Sequence, residues 1–198
     1  MTEYVMEQNK KEQEKYIRLA ADLQTDSIVD GPGLRAVLWT QGCGHHCKGC
    51  QNPQTWDFLG GGLVPIEMVK EAIRELEYHT GLTFSGGDPM FQVDACLEIA
   101  KYAKSLGLDI WVYTGFTFEE LLKMSKTKPV YLDFLKEIDV LVDGKFILEQ
   151  RDLSILFRGS RNQRLIDVKK TLSSGNITLF DEVEYNESES YKKVPMYI

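Results

Sequence analysis

Residues 82–113 read LTFSGGDPMFQVDACLEIAKYAKSLGLDIWVY, and the fold is decided there. Leu82, Thr83, Phe84 and Ser85 form a short apolar run that stops at Gly86-Gly87-Asp88-Pro89, the pattern of a buried strand entering a glycine turn. Val93, Cys96, Leu97, Ala100 and Leu106 then recur on one side of a helix, and residues 108–113 return to an apolar strand. Strand, glycine turn, helix and strand make the unit of a parallel sheet, because parallel neighbours need a crossover between them.

The same alternation extends both ways. Downstream, residues 118–125 and 131–137 are helical, 139–142 is a strand, and Asp143-Gly144-Lys145 is a turn. Upstream, Pro65 suits the first turn of a helix carrying Val69, Ala72, Ile73 and Leu76. Residues 34–40, LRAVLWT, form a strand; residues 17–23 are a possible one; the DGPG of residues 30–33 reads as a structural turn. The class is α/β with a mostly parallel sheet. Ligand sites in such sheets lie beyond the carboxyl ends of the strands. That places the loop after Thr40, the turn at Gly86, Tyr113-Thr114-Gly115 and Asp143-Gly144 on one rim.

A chain of 198 residues with 43% hydrophobic residues can build one core. Residues 1–15 are polar without apolar period and residues 173–198 are similarly weak and acidic, so both are expected as tails around a domain at 16–172. The 23 basic residues against 30 acidic ones give a net charge of -7, which speaks against a general nucleic-acid or membrane-surface binder. The apolar runs fall short of the roughly 18 residues a membrane span needs, and the N-terminal MTEYVMEQNKKEQEK lacks the apolar core of a signal peptide. A cytoplasmic protein is expected, with no nucleic acid and no membrane among its partners.

Three of the four cysteines, Cys43, Cys47 and Cys50, crowd into the loop after the strand at 34–40. An odd cluster in a cytosolic chain cannot be fully paired as disulfides and points to a metal or redox site. Three thiolates can hold three irons of a 4Fe-4S cluster and leave the fourth open to a small molecule. A structural zinc is the competing reading, Cys3His with His45 or His46 completing the tetrahedron. Cys96, on the apolar side of its helix, reads as a small buried hydrophobe.

C-x3-C-x2-C is the signature of the radical S-adenosylmethionine (SAM) superfamily, and four strings in order narrow the resemblance. Residues 39–56 (WTQGCGHHCKGCQNPQTW), 85–89 (SGGDP), 142–146 (VDGKF) and 157–164 (FRGSRNQR) together resemble the activating proteins of anaerobic (class III) ribonucleotide reductase. The resemblance spans roughly residues 16 to 171 and implies that Cys43, Cys47 and Cys50 ligate a 4Fe-4S cluster whose open iron is chelated by SAM. Gly49, Cys50 and Gln51 match positions that line the cofactor, and Gly86, Gly87 and Asp88 match a glycine turn whose backbone lies against the methionine amino group. Gly49 stands where many members carry an aromatic residue against adenine, and Asp88 where many carry Glu.

The implied activity is reductive cleavage of SAM, with the 5'-deoxyadenosyl radical generating a glycyl radical on a glycine loop near the C-terminus of anaerobic ribonucleotide reductase. The implied electron source is an external one-electron donor such as a flavodoxin. An activase of another glycyl-radical enzyme, or a small-molecule radical SAM enzyme, is the alternative within the superfamily. Arg158, Arg161 and Arg164 form a cationic run suited to a SAM carboxylate or a partner surface, or else to a solvated loop. Asp143 suits a ribose hydroxyl or a turn cap. Trp39, Trp56 and Trp111 read as packing. The expected architecture is an incomplete, TIM-like (β/α) barrel of about six strands, since a full barrel takes roughly 250 residues.

Overall fold

The computed structural model describes residues 16–181. Among them run β1 (Tyr16–Leu19), β2 (Gln24–Ser27), β3 (Arg35–Thr40), β4 (Gly62–Pro65), α1 (Ile66–Arg74), β5 (Gly81–Gly86), α2 (Val93–Ser105) and β6 (Asp109–Tyr113). Then come α3 (Phe118–Ser125), α4 (Val130–Glu137), β7 (Val140–Asp143), β8 (Arg164–Asp167) and α5 (Val168–Ser174). The strands form one sheet in the order β4-β1-β3-β5-β6-β7-β8, with β2 paired to β3 outside that path. β3, β5, β6 and β7 are mutually parallel, and α1, α2 and the α3–α4 pair supply the crossovers.

The α/β alternation expected from sequence is what folds, with a parallel centre. The sheet stays open, with β4 and β8 at its ends. It has eight strands rather than about six, and β1, β2, β4 and β8 run antiparallel to their partners. The strands that sequence reading passed over are QTDS, GLVP and RLID, four residues each without an apolar run. They are strands because β3, β1 and β7 offer them a ladder, and β propensity follows such context more than composition.

The helices cover one face of the sheet. Leu38, Phe84, Ile110, Val112 and Leu141 pack there against Ile73 of α1, Ile99 of α2 and Phe134 of α4 in one buried cluster. Alternation along β6 sends Trp111 to the other face, where it joins Val140, Val142 and Leu165. Phe157 and Phe180 cover that face with ring centroids each 5.3 Å from Trp111. The expected tail boundary at residue 172 thus falls inside α5. The chain turns at Gly175 (φ 71), Leu179 bridges Ile166, and the Phe180 N–H donates to the Leu165 carbonyl at 2.8 Å. Too few apolar residues alternate in this stretch to show a period, so contact with β8 decides its place. The remaining expected tails, 1–15 and 182–198, lie outside the described residues.

Arg35 closes the amino ends of the parallel strands. Its buried guanidinium donates to Thr83 Oγ1 at 2.8 Å and to the carbonyls of Leu82 and Pro32 at 3.2 and 3.3 Å. It lies 2.6 Å from Asp109 Oδ1, off the line of an N–H, and 5.4 Å from the Trp111 ring centroid. Burial raises the Asp109 carboxyl above its ordinary range despite that cation. With this end plugged by side chains, the opposite, carboxyl rim is left for chemistry.

Candidate active site

β3 ends at Thr40 and delivers the thiol loop, β5 ends at Gly86, β6 at Tyr113 and β7 at Asp143. One cavity at this rim is bounded by Cys43, Cys47 and Cys50 together with Gln51, Gly86 and Gly87. Gly49 and Asp88, matched to cofactor positions by resemblance, do not form its wall. The three thiols are free, with Cys43 buried and the other two half-buried. Their loop closes on itself, since Gly42 N–H donates to the Thr55 carbonyl at 2.8 Å and Cys43 N–H to that of Trp56 at 3.2 Å. Gly49 takes φ 74, and a Cβ there would come within 2.9 Å of Leu148 Cδ1. Leu148 therefore presses where a side chain before the third cysteine would stand.

Burial pushes the Cys43 thiol up, with the His45 backbone N–H opposing and the Asp88 charge adding to the rise. Burial likewise raises Cys47, against the Phe146 N–H. Thiols so placed give up their protons to a positively charged centre, because metal binding and deprotonation are linked.

The glycine turn lies directly on the thiol loop. Gly87 N–H donates to the Thr40 carbonyl at 2.7 Å and Asp88 N–H to the Gly42 carbonyl at 3.0 Å. A Cβ at Gly87 would meet Gly42 O at 2.4 Å, so only glycine permits the approach. The Asp88 carboxylate is turned inward: Oδ1 accepts from Met90 N–H at 2.9 Å, and Oδ2 from Thr114 Oγ1 and Gly115 N–H, each at 2.9 Å. His45 Nε2 lies 2.7 Å from the same Oδ2. His46 departs in another direction, edge-on to Trp56 with centroids 4.9 Å apart.

These placements weigh against the zinc reading. A single tetrahedral ion needs every donor within about 2.0–2.3 Å of one point. His45 is committed to Asp88, and His46 lies edge-on to Trp56. The donor set fits an iron-sulfur cluster: one cavity is lined by three thiols, by the glycine turn and by Trp56, whose buried Nε1–H has no acceptor among the described residues.

The cationic run resolves into structural pairings. Arg164 Nε donates to Asp143 Oδ1 at 2.9 Å, and its Nη atoms reach Glu119 Oε1 and Oε2 at 3.1 and 2.8 Å. Arg164 is held strongly protonated by those two carboxylates, Asp143 first. Asp143 is 1% exposed and its Oδ2 also accepts from Phe118 N–H at 2.8 Å, so it caps the start of α3 beside the Thr117–Glu120 capping box. Arg161 Nε pairs with Asp152 at 2.7 Å, and Arg158 Nε donates to the Leu156 carbonyl at 3.2 Å.

Other residues at the cavity went without a cofactor role in the sequence, Asp30 and Gln163 among them. Asp30, in the DGPG turn, lines it, and Gln163 lines it while accepting from Gly159 and Ser160 N–H and donating to the Gly144 carbonyl. Gln163 sits inside the string at 157–164 and Asp30 in the turn at 30–33, but a glutamine or a turn aspartate carries no spacing signal of its own.

An α/β sheet with free thiols and a glycine cradle on its carboxyl rim defines a class, the α/β proteins that hold an iron-sulfur cluster; residues 29–166 match the family model described as a 4Fe-4S single cluster domain. The anaerobic ribonucleoside-triphosphate reductase-activating protein of Haemophilus influenzae is 40% identical over 144 residues, covering 69% of this chain and 89% of that one. The protein of the same name from Enterobacteria phage T4 is 38% identical over 147 residues, 70% of this chain and 86% of the relative. The chain belongs to this family of anaerobic ribonucleoside-triphosphate reductase-activating proteins. Among solved structures, QueE from Escherichia coli aligns at TM-score 0.45 with 17% identity over 59% of this chain and 57% of its own.

Proposed function

We propose that this chain is a radical SAM activase that installs a glycyl radical on an anaerobic ribonucleoside-triphosphate reductase. The observation that carries the reading is the meeting of Cys43, Cys47 and Cys50 with Gly86 and Gly87 in the lining of one cavity. Cys43, Cys47 and Cys50 would each ligate one iron of a 4Fe-4S cluster, leaving one iron for SAM. When bound, these groups supply an electron and a carbon-centred radical able to take hydrogen from a glycine Cα.

The chain's own residues bind, orient and exclude. The backbone of Gly86 and Gly87 lines the cavity together with the thiols, suited to the methionine end of SAM, and Cys50 and Gln51 line it as well. Asp88 supports that turn through its bonds to Met90, Thr114 and Gly115. Trp56, Tyr113 and Phe146 wall the cavity with aromatic surface, which keeps water from a reactive intermediate. No proton transfer is asked of any side chain.

The partner is the reductase's C-terminal glycine loop, and the electron comes from an external one-electron carrier such as a flavodoxin. Dependence on three reduced thiols supports action in the cytoplasm. Among the described residues no helix is long and apolar enough to cross a membrane.

The test is anaerobic cluster reconstitution, followed by SAM, reductant and the reductase from the same source, read by electron paramagnetic resonance (EPR) with Cys43→Ala as control. A glycyl doublet absent from the variant is expected. Formation of 5'-deoxyadenosine without the doublet overturns the partner, and absence of both from cluster-loaded protein overturns the enzymatic reading.

A further inference from the structure

His45 stands between the first two thiols and lines the cavity, and its Nε2 reaches the Asp88 carboxylate of the glycine turn. Its side chain is 7% exposed and Nε2 lies 2.7 Å from Asp88 Oδ2. Phe116 meets the ring edge-on at 4.6 Å between centroids and Phe91 tilts against it at 5.8 Å. A Cβ on Gly115 would come within 2.4 Å of His45 Cδ2, so position 115 leaves room for the imidazole.

Three donors from two further parts of the rim converge on one carboxylate oxygen: His45 from the thiol loop, and Thr114 Oγ1 and Gly115 N–H from the end of β6. Asp88 carries that oxygen on the turn after β5. Because the acceptor is a buried carboxylate, the proton belongs on Nε2. Such charge-assisted bonds are about twice as strong as neutral ones. The backbone bonds from Asp88 to Gly42 and from Cys43 to Trp56 tie the base of the thiol loop. His45 ties its middle.

We propose that His45 is a positioning residue: through its hydrogen bond to Asp88 it clamps the segment between Cys43 and Cys47 onto the Gly86-Gly87 turn, setting the distance between cluster and turn that SAM must span. This rests on the radical SAM reading above and assigns Asp88 to the clamp rather than to the cofactor. Losing the bond leaves the thiols able to take up iron but lets the two sides of the SAM site drift apart.

The experiment compares reconstituted full-length wild type, His45→Phe and His45→Gln. Phe keeps the ring among Phe91 and Phe116 without a donor, and Gln restores a donor near Nε2. Iron per chain is measured first. SAM is then titrated against the EPR spectrum of the reduced cluster, a readout independent of turnover.

The expected result is equal iron in all three, SAM affinity weakened about tenfold in His45→Phe, and recovery to within about threefold of wild type in His45→Gln. Wild-type affinity in His45→Phe overturns the proposal, as does His45→Gln binding as weakly as His45→Phe, which would make the ring a packing element only. Failure of both variants to hold iron overturns it too, by assigning His45 to folding of the thiol loop. If only His45→Phe holds no iron, His45→Asn, whose amide falls short of Asp88, replaces it with the same expectation. A wild-type cluster whose spectrum ignores SAM would sink the radical SAM reading itself, and the clamp with it.

Discussion

The Asp88 N–H donates to the Gly42 carbonyl at 3.0 Å, so the glycine turn and the thiol loop form one structure although they follow different strands. Gly87 sits at the closest point, where an added Cβ would meet Gly42 O at 2.4 Å. Gly87→Ala is expected to push the turn off the loop, costing about 1–3 kcal/mol and abolishing the effect of SAM on the cluster spectrum. Gly62→Ala, with nothing within 4 Å of its Cβ, should change neither. Urea unfolding and SAM titration of the two variants check this.

Cysteine substitutions should divide sharply by position. Alanine at Cys43, Cys47 or Cys50 is expected to lose most of the bound iron and the visible iron-sulfur absorbance. Cys96→Ala should keep both, because Cys96 is fully buried among α2 and sheet residues and burial holds its thiol protonated. Its effect is a small cavity costing about 1 kcal/mol. Iron analysis with thermal unfolding separates the two outcomes.

Arg164→Met leaves the buried Asp143 carboxylate with the Phe118 N–H but without its cation. The guanidinium is partly exposed, so the loss is expected near 2 kcal/mol rather than the 3–5 of a fully buried pair. Arg164→Lys should recover only part, since an ammonium cannot bridge Asp143 and Glu119 in a planar fork. Denaturant unfolding of the three proteins measures the difference.

Acid stability should depend on Asp139. Burial alone would raise its carboxyl, but bonds from Lys104 and Lys169 and from Ile110 N–H prevail and hold it below the ordinary carboxylate range. A depressed folded value contributes stability that is whole above the unfolded value, about 3.9, and is lost as pH falls through the folded one. Asp139→Asn should therefore be less stable at neutral pH and show a flatter acid limb. Urea unfolding from about pH 3 to 6 tests the slope.

Much of the fold could be read in advance because its signals are local. The SGGDP turn between an apolar run and the helical period of Val93, Cys96 and Ala100 marks a crossover without knowledge of any neighbour. Edge strands such as Gln24–Ser27 carry no such signal, since a ladder partner makes them strands. At the site, Cys43, Cys47 and Cys50 declared themselves by chemistry and spacing, while Asp30 and Gln163 reach the cavity from ordinary turn and loop positions.

The chain's alternating strands and helices of the parallel centre, the crowding of its thiols and the rim where its motifs meet were thus determined by sequence alone, through period, turn chemistry and ligand type. Tertiary structure decided how its buried polar groups pair. Asp88 pairs with His45 and Thr114, Arg164 holds Asp143 and Glu119, and Arg35 plugs the amino ends of the strands. The physical reason is that a buried charge must find its partner among whatever groups folding brings beside it, and that adjacency has no period along the chain.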